Sequence, residues 1–137
     1  MTLSENEKNA LVEVKLENAW RTLNDAQLLL SNGSLRGAMN RAYYAMFHGT
    51  SALAISRGFI FKKHTQLIGF FQKEYAKSEI LDRKHGRSLQ KAFEDRSEAD
   101  YQDFVTFEQK QVEIRIAEAK AFVEVVAQHI QRMNREP

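Results

Sequence analysis

Hydrophobic residues recur at alternating intervals of three and four along two long segments of the chain. One set comprises Val12, Leu16, Ala19, Leu23, Ala26 and Leu30. The other comprises Val112, Ile116, Ala119, Val123, Val126, Ile130 and Met133. Because these intervals match the 3.6-residue turn of the α-helix, each set predicts a long helix with one face in a core. The capping-box pairs Ser4/Glu7 and Thr106/Gln109 predict where these two helices begin, and the first continues to about Ser31.

A third long segment, from about Leu35 to Arg57, carries a stripe of small residues instead. The stripe consists of Ala38, Ala42, Ala45, Gly49, Ala52 and Ser56. Asn32-Gly33-Ser34 predicts a helix end and a new N-cap before this segment, and Gly58 predicts its C-cap. Small side chains let a neighbouring helix approach closely, so we expect this to be the central helix of the protein.

Two shorter helices are predicted, one from His64 or Thr65 to about Lys77 and the other from Arg83 to about Asp95. Between the central helix and the first of these shorter helices, we expect a hydrophobic connector, Phe59-Ile60-Phe61, that packs onto the bundle. The single proline is the last residue, and no segment shows the alternation of a β-strand. The chain is therefore predicted to be all-α, an up-down bundle of four to five helices, with residues 1–137 in one domain.

The composition is typical of a folded protein that does not span a membrane. Of the 137 residues, 43% are hydrophobic, and no apolar stretch approaches the roughly 20 residues that span a bilayer. With a polar N-terminus and no cysteine, we expect a soluble, cytoplasmic protein without disulfides or thiolate metal sites.

The charge is unevenly distributed. Residues 57–91 contain 9 lysines and arginines against 3 aspartates and glutamates, and residues 92–137 contain 6 against 10. A basic middle segment suits a polyanion, self-association or an oppositely charged protein, and it equally suits a solvated surface.

Arg41, Tyr44 and His48 are predicted to share one face of the central helix. Seven residues at 100° each bring His48 back to within about 20° of Arg41, roughly 10 Å along the axis. A guanidinium that binds phosphate and an imidazole that transfers a proton could serve phosphodiester chemistry. In the alternative interpretation, Arg41 pairs with a bundle carboxylate and His48 is a half-buried polar residue.

Three other groups have candidate chemistry. His64, which follows Lys62 and Lys63, is either a neighbour of a helix N-cap or a phosphate-facing group. Asp82-Arg83-Lys84-His85 contains metal-ligand types but has no second cluster to complete a site, so no metal is expected. The remaining group consists of Arg96, Asp100 and Tyr101. We expect it to form a structural corner in which the carboxylate holds Arg41 or another cation and the tyrosine packs inward.

The string Asn40-Arg41-Ala42-Tyr43-Tyr44-Ala45-Met46-Phe47-His48 resembles the signature helix of the HEPN domain superfamily, in its small stand-alone branch. Further landmarks follow in the same order, namely Gly58, Lys62-Lys63-His64 and Arg96-x3-Asp100-Tyr101. The resemblance covers most of residues 10–130.

Many HEPN proteins are metal-independent ribonucleases with an Arg-x4–6-His motif, and they dimerise so that two motifs form one site. Many are also encoded beside a minimal nucleotidyltransferase, as the toxin of a toxin–antitoxin pair. The resemblance implies that Arg41 binds the scissile phosphate and that His48 is the general acid or base, supported by Tyr44. Residues 57–91 would supply phosphate contacts, and the substrate-binding candidates are Asn40, Lys62, Lys63 and His64.

The resemblance leaves a second interpretation open, because some HEPN domains are non-catalytic. The chain would then be a helical module that binds a nucleotidyltransferase or another partner, or a bundle that binds a small molecule or a nucleotide. No cofactor is expected in either case.

Overall fold

The computed structural model describes residues 3–135, which form five α-helices. They are α1 (Glu5–Ser31), α2 (Leu35–Ser56), α3 (His64–Phe71), α4 (Arg83–Tyr101) and α5 (Gln109–Arg135), and a π-helical turn, Gln72–Ala76, continues α3. Residues 3–135 contain no β-strand, so the predicted all-α fold is confirmed. No helix in this range combines the length and the apolar character needed to cross a membrane.

The start of α1 and the end of α2 follow the predicted signals. At the start of α1, the Glu7 amide donates to the Ser4 hydroxyl at 3.1 Å and the Ser4 amide donates to the Glu7 carboxylate at 3.0 Å. At the end of α2, Gly58 has a φ of +86°, which an L side chain rarely adopts. The Phe59 amide then donates to the Ala54 carbonyl at 2.9 Å, which closes the helix with a Schellman motif.

Several other predicted details are wrong. Gln109 is the first residue of α5 and therefore cannot be the third residue of a capping box begun by Thr106. The Ser34 side chain makes no capping hydrogen bond to α2. The fourth helix continues to Tyr101 rather than ending near Asp95, and Met133 is 54% exposed instead of in the core.

The second helix is the centre of the bundle, because it packs against all four other α-helices. Its small residues Ala38, Ala42, Ala45 and Ala52 are completely buried. Gly49 lies against the side chains of Phe122 and Val126 on α5. The small-residue stripe therefore faces the core, and the half-buried residues Arg41, Tyr44 and His48 lie on the face beside it.

The hydrophobic connector packs onto the bundle only in part. Phe61 and Phe59 lie against Phe70, with ring centroids 5.4 and 5.7 Å away. Ile60, however, is 62% exposed. The connector therefore covers one aromatic ring of α3 and leaves Ile60 at the surface.

Candidate active site

Arg41, Tyr44 and His48 form a continuous ridge on α2, on a face that adjoins the small-residue stripe. The guanidinium carbon of Arg41 lies 4.9 Å from the centroid of the Tyr44 ring. The Tyr44 and His48 ring centroids are 6.4 Å apart. All three residues are half-buried, so each combines a packed position with access to solvent. The helical spacing correctly predicted that they share a face.

Asn40 holds the Arg41 guanidinium. Its amide oxygen accepts hydrogen bonds from Nε of Arg41 at 3.0 Å and from Nη2 at 2.6 Å. Arg41 forms no ion pair with any carboxylate of residues 3–135, so the alternative in which it pairs with a bundle carboxylate is wrong for this range. Its positive charge is oriented without being neutralised, as a site for an anionic ligand requires.

His48 is an uncharged imidazole at neutral pH. Its ring lies against those of Tyr44 and Phe47, and its Nδ1 atom is buried without a hydrogen-bond partner among residues 3–135. Burial lowers the pKa of His48, and the positive charges of Lys15 and Arg41 lower it further. An imidazole in this state can accept a proton at neutral pH. The alternative interpretation, in which His48 is a half-buried polar residue, agrees with the same position.

His64 joins the same cluster from the start of α3. Its Nδ1 lies 2.6 Å from the Tyr43 hydroxyl, and its ring stacks on Phe47 with centroids 4.4 Å apart. Burial, together with the charge of Arg96, lowers the pKa of His64, whereas burial raises the pKa of Tyr43. Both groups are therefore neutral, and we infer that the Tyr43 hydroxyl donates to Nδ1 of His64.

Arg96 links α4 to the ridge. Its Nη2 donates to the Tyr44 hydroxyl at 2.9 Å, and its guanidinium carbon lies 5.3 Å from the Tyr44 ring centroid. Its Nε forms an ion pair with Asp100 at 3.0 Å. Asp100 therefore holds Arg96, one of the two outcomes expected of the corner, and does not pair with Arg41.

Tyr101 does not pack inward as expected, because its side chain is 88% exposed. The fourth helix continues through this residue and directs it to the solvent. The helical spacing of the sequence gave no signal that Arg96 would meet Tyr44, since the two residues lie on different helices and 52 positions apart.

A groove of about 310 Å³ adjoins Arg41 at the ends of α2 and α4. Three guanidinium groups border it, those of Arg36, Arg41 and Arg96, beside the carboxylate of Asp100. Arg36 donates to the carbonyl of Ala99 and, at 2.7 Å, to that of Val105. Its cation thereby covers one carbonyl in the last turn of α4 and one in the segment that follows the helix. The surplus of positive charge suits a phosphate group.

The other candidates lie at the start of α3 and at the start of α4. Lys62 and Lys63 are exposed immediately before α3, and Lys63 is its N-cap. Asp82 caps α4 by accepting a hydrogen bond from the Lys84 amide at 2.9 Å. His85 is buried with its ring against Phe122. Within residues 3–135, no group of three or more histidine or acidic side chains is arranged to hold a metal ion.

Comparison with known proteins agrees with this architecture. The HEPN domain model matches residues 12–130. A UPF0332 protein of Thermotoga maritima is 35% identical over 95% of this chain and 98% of its own length. A protein of Methanocaldococcus jannaschii named "Putative toxin MJ0605" is 34% identical over 86% of this chain and 84% of its own length. A second protein of that organism, named "Putative toxin MJ0142", is 26% identical over 82% of this chain and 76% of its own length. With its helical bundle and its Arg41–His48 helix, the chain belongs to the HEPN domain family.

Proposed function

We propose that this protein is an endoribonuclease that requires no metal ion and acts as the toxin of a toxin–antitoxin pair. The observation that carries the proposal is the ridge on α2, which combines an unneutralised arginine with an uncharged histidine. The two relatives named as toxins support the biological role.

In the proposed reaction, His48 accepts the proton of an RNA 2′-hydroxyl. The 2′-oxygen attacks the adjacent phosphorus at the same time. Arg41 binds the non-bridging phosphate oxygens and stabilises the charge that develops on them. The bond from phosphorus to the 5′-oxygen breaks, which leaves a 2′,3′-cyclic phosphate. The departing 5′-oxygen takes up a proton from a general acid. Tyr44, held by Arg96, keeps the guanidinium of Arg41 in place through its ring.

A second copy of the chain would supply the general acid. Each ridge carries a single histidine, His48, so one copy of the chain supplies either the base or the acid. In a two-fold dimer, the two ridges would face each other and the two His48 side chains would act as base and acid. Lys62, Lys63 and His64 would border the shared cleft and contact the RNA. The cognate antitoxin would be a nucleotidyltransferase.

The test is cleavage of RNA by the purified protein in excess EDTA. We expect cleavage by the wild type and its loss in both His48→Ala and Arg41→Ala. His129→Ala and Arg21→Ala, which change the same residue types away from the ridge, should retain it. Cleavage that stops in EDTA, or that survives both ridge substitutions, contradicts the proposed mechanism.

One observation favours a second function, a non-catalytic module that binds a nucleotidyltransferase. Nuclease motifs of the family usually have a polar residue directly after the arginine, whereas Ala42 here is completely buried in the core. This function predicts no cleavage, no growth defect on overexpression, and co-purification with a nucleotidyltransferase.

A further inference from the structure

Four cationic residues line a second groove, between α4 and the π-helical continuation of α3. The groove has a volume of about 780 Å³, and its cations are Lys73, Lys77, Arg83 and Arg87. The other lining residues are glycines, an alanine and glutamines, and no carboxylate borders the groove. Among residues 3–135, only Arg83 of the four forms an ion pair, an exposed one with Glu79 at 3.1 Å. The charges of Lys73, Lys77 and Arg87 are therefore not neutralised by an ion pair within the described residues.

The floor of the groove is narrow because the two elements approach closely. The Gln72 side-chain amide donates to the Gly86 carbonyl at 2.7 Å. A Cβ atom at Gly86 would lie 2.8 Å from the Cβ of Ala76, so only glycine fits there without a shift. The cations lie on both rims, two on the π-helical side and two on α4. This shape suits one phosphodiester chain rather than the two strands of a duplex.

The groove and the residues of the candidate active site occupy different stretches of α3 and α4. α3 and α4 run antiparallel, since the His64 and Phe93 rings are 6.4 Å apart at one end and Gln72 bonds Gly86 at the other. Lys73 lies nine residues after His64 and Arg87 lies nine residues before Arg96. Both rims therefore begin about 14 Å along the helix axis from the residues that reach Tyr43 and Tyr44, and about half a turn around each helix from them, so that a bound strand would pass around α3 and α4 to reach the site.

We propose that this groove binds the backbone of single-stranded RNA as it enters the site at His64. The inference rests on the proposed function, and it adds a binding track that the ridge itself does not contain. Recognition of the RNA would be independent of its base sequence, because lysine and arginine contacts to phosphates depend on charge and not on the identity of the bases. The two glutamines that also line the groove already form hydrogen bonds within the protein. Gln72 donates to the Gly86 carbonyl, and Gln90 donates to the Glu94 carboxylate.

Binding can be measured separately from cleavage by fluorescence anisotropy, with a labelled single-stranded 2′-O-methyl RNA that cannot undergo 2′-hydroxyl attack. In the His48→Ala protein, we expect the combined change K73Q, K77Q, R83Q and R87Q to weaken binding. The slope of log affinity against log salt should fall by about 0.7 for each phosphate that the variant no longer binds. The matched control R21Q, K110Q, K120Q and R132Q makes the same change in net charge at exposed positions outside the groove, and should bind as His48→Ala does.

A second variant tests the groove without removing any cation. The Cβ position of Gly69, which lines the groove, has no neighbouring atom within 4 Å, so a side chain is accommodated there. Gly69→Glu should weaken RNA binding, whereas Gly69→Gln, of the same shape and no charge, should weaken it much less.

Two results would overturn the inference. One is unchanged affinity and salt slope in both the fourfold variant and Gly69→Glu. The other is equal competition by double-stranded RNA or polyglutamate, which would indicate a duplex or an acidic protein as the ligand. If the wild type cleaves no RNA but the groove variants still bind it more weakly, the endonuclease proposal fails and the groove inference stands.

Discussion

The Tyr44 hydroxyl accepts a hydrogen bond from Nη2 of Arg96 at 2.9 Å, which connects α2 to the end of α4. The same Tyr44 ring lies under the guanidinium groups of both Arg96 and Arg41. One tyrosine therefore positions two cations, one held by Asp100 and the other held by Asn40.

Loss of this hydroxyl should destabilise the protein. Tyr44→Phe removes a hydrogen bond to a charged group and should lower the free energy of unfolding by about 1–3 kcal/mol, measured by urea denaturation. Arg96→Gln should cost a similar amount, and the double variant should cost less than the sum of the two. Strict additivity would show that the two side chains are not coupled in solution.

Asn40→Ala should reduce RNA cleavage without unfolding the protein. The Arg41 guanidinium would lose both hydrogen bonds that orient it, so we expect kcat to fall about tenfold, which corresponds to about 1.4 kcal/mol of transition-state stabilisation. The thermal midpoint should change little, because Asn40 is only half-buried. Asn24→Ala, an exposed asparagine on α1, is the control. Equal kcat values for the two variants would contradict the role of Asn40.

Lys15→Gln should raise the pKa of His48. The positive charge of Lys15 is one cause that keeps the imidazole neutral, so its removal stabilises the protonated form. NMR titration of the His48 ring measures this shift directly, whether or not the protein cleaves RNA. Lys8→Gln, also on α1, leaves the surroundings of His48 unchanged and should give the wild-type value. Any limb of the pH–rate profile due to His48 should move upward with Lys15→Gln.

Mild acid should destabilise the protein, and His85 should account for part of the loss. Burial lowers the pKa of His85 below the ordinary value of about 6.5 that it regains on unfolding. Between these two values the unfolded state binds more protons, so stability is complete above about pH 6.5 and decreases as the pH falls towards the folded pKa. His48 and His64 contribute with the same sign. Urea denaturation at several pH values should give a shallower dependence for His85→Gln, and an identical dependence would contradict this origin.

Arg115 should be essential to the packing of α4 against α5. It is 5% exposed and its Nη groups lie 2.7 Å from Asp95 and 2.6 Å from Glu118. Arg115→Met leaves Asp95 buried with only Lys91 nearby, at 3.6 Å, and should cost about 3–5 kcal/mol of unfolding free energy. Adding Asp95→Leu should recover part of this loss. Glu79→Gln, at an exposed ion pair, should cost less than about 1 kcal/mol.

The helices and the ridge could be predicted from the order of the residues alone. Both depend on local periodicity, which places Arg41, Tyr44 and His48 on one face and the small-residue stripe on another. The capping box of Ser4 and Glu7 could also be predicted from the sequence, because both of its hydrogen bonds lie within a single helical turn.

The surroundings of the ridge, in contrast, depend on how the helices pack. Arg96 reaches Tyr44 and His64 reaches Tyr43 because α3 and α4 pack against α2, and no spacing along one helix encodes a contact between two. The same packing neutralises His48 through burial and brings Lys73 and Arg87 to the rims of one groove. Periodicity determines which face a residue occupies, whereas the packing of that face determines its pKa, its partners and its access to a ligand.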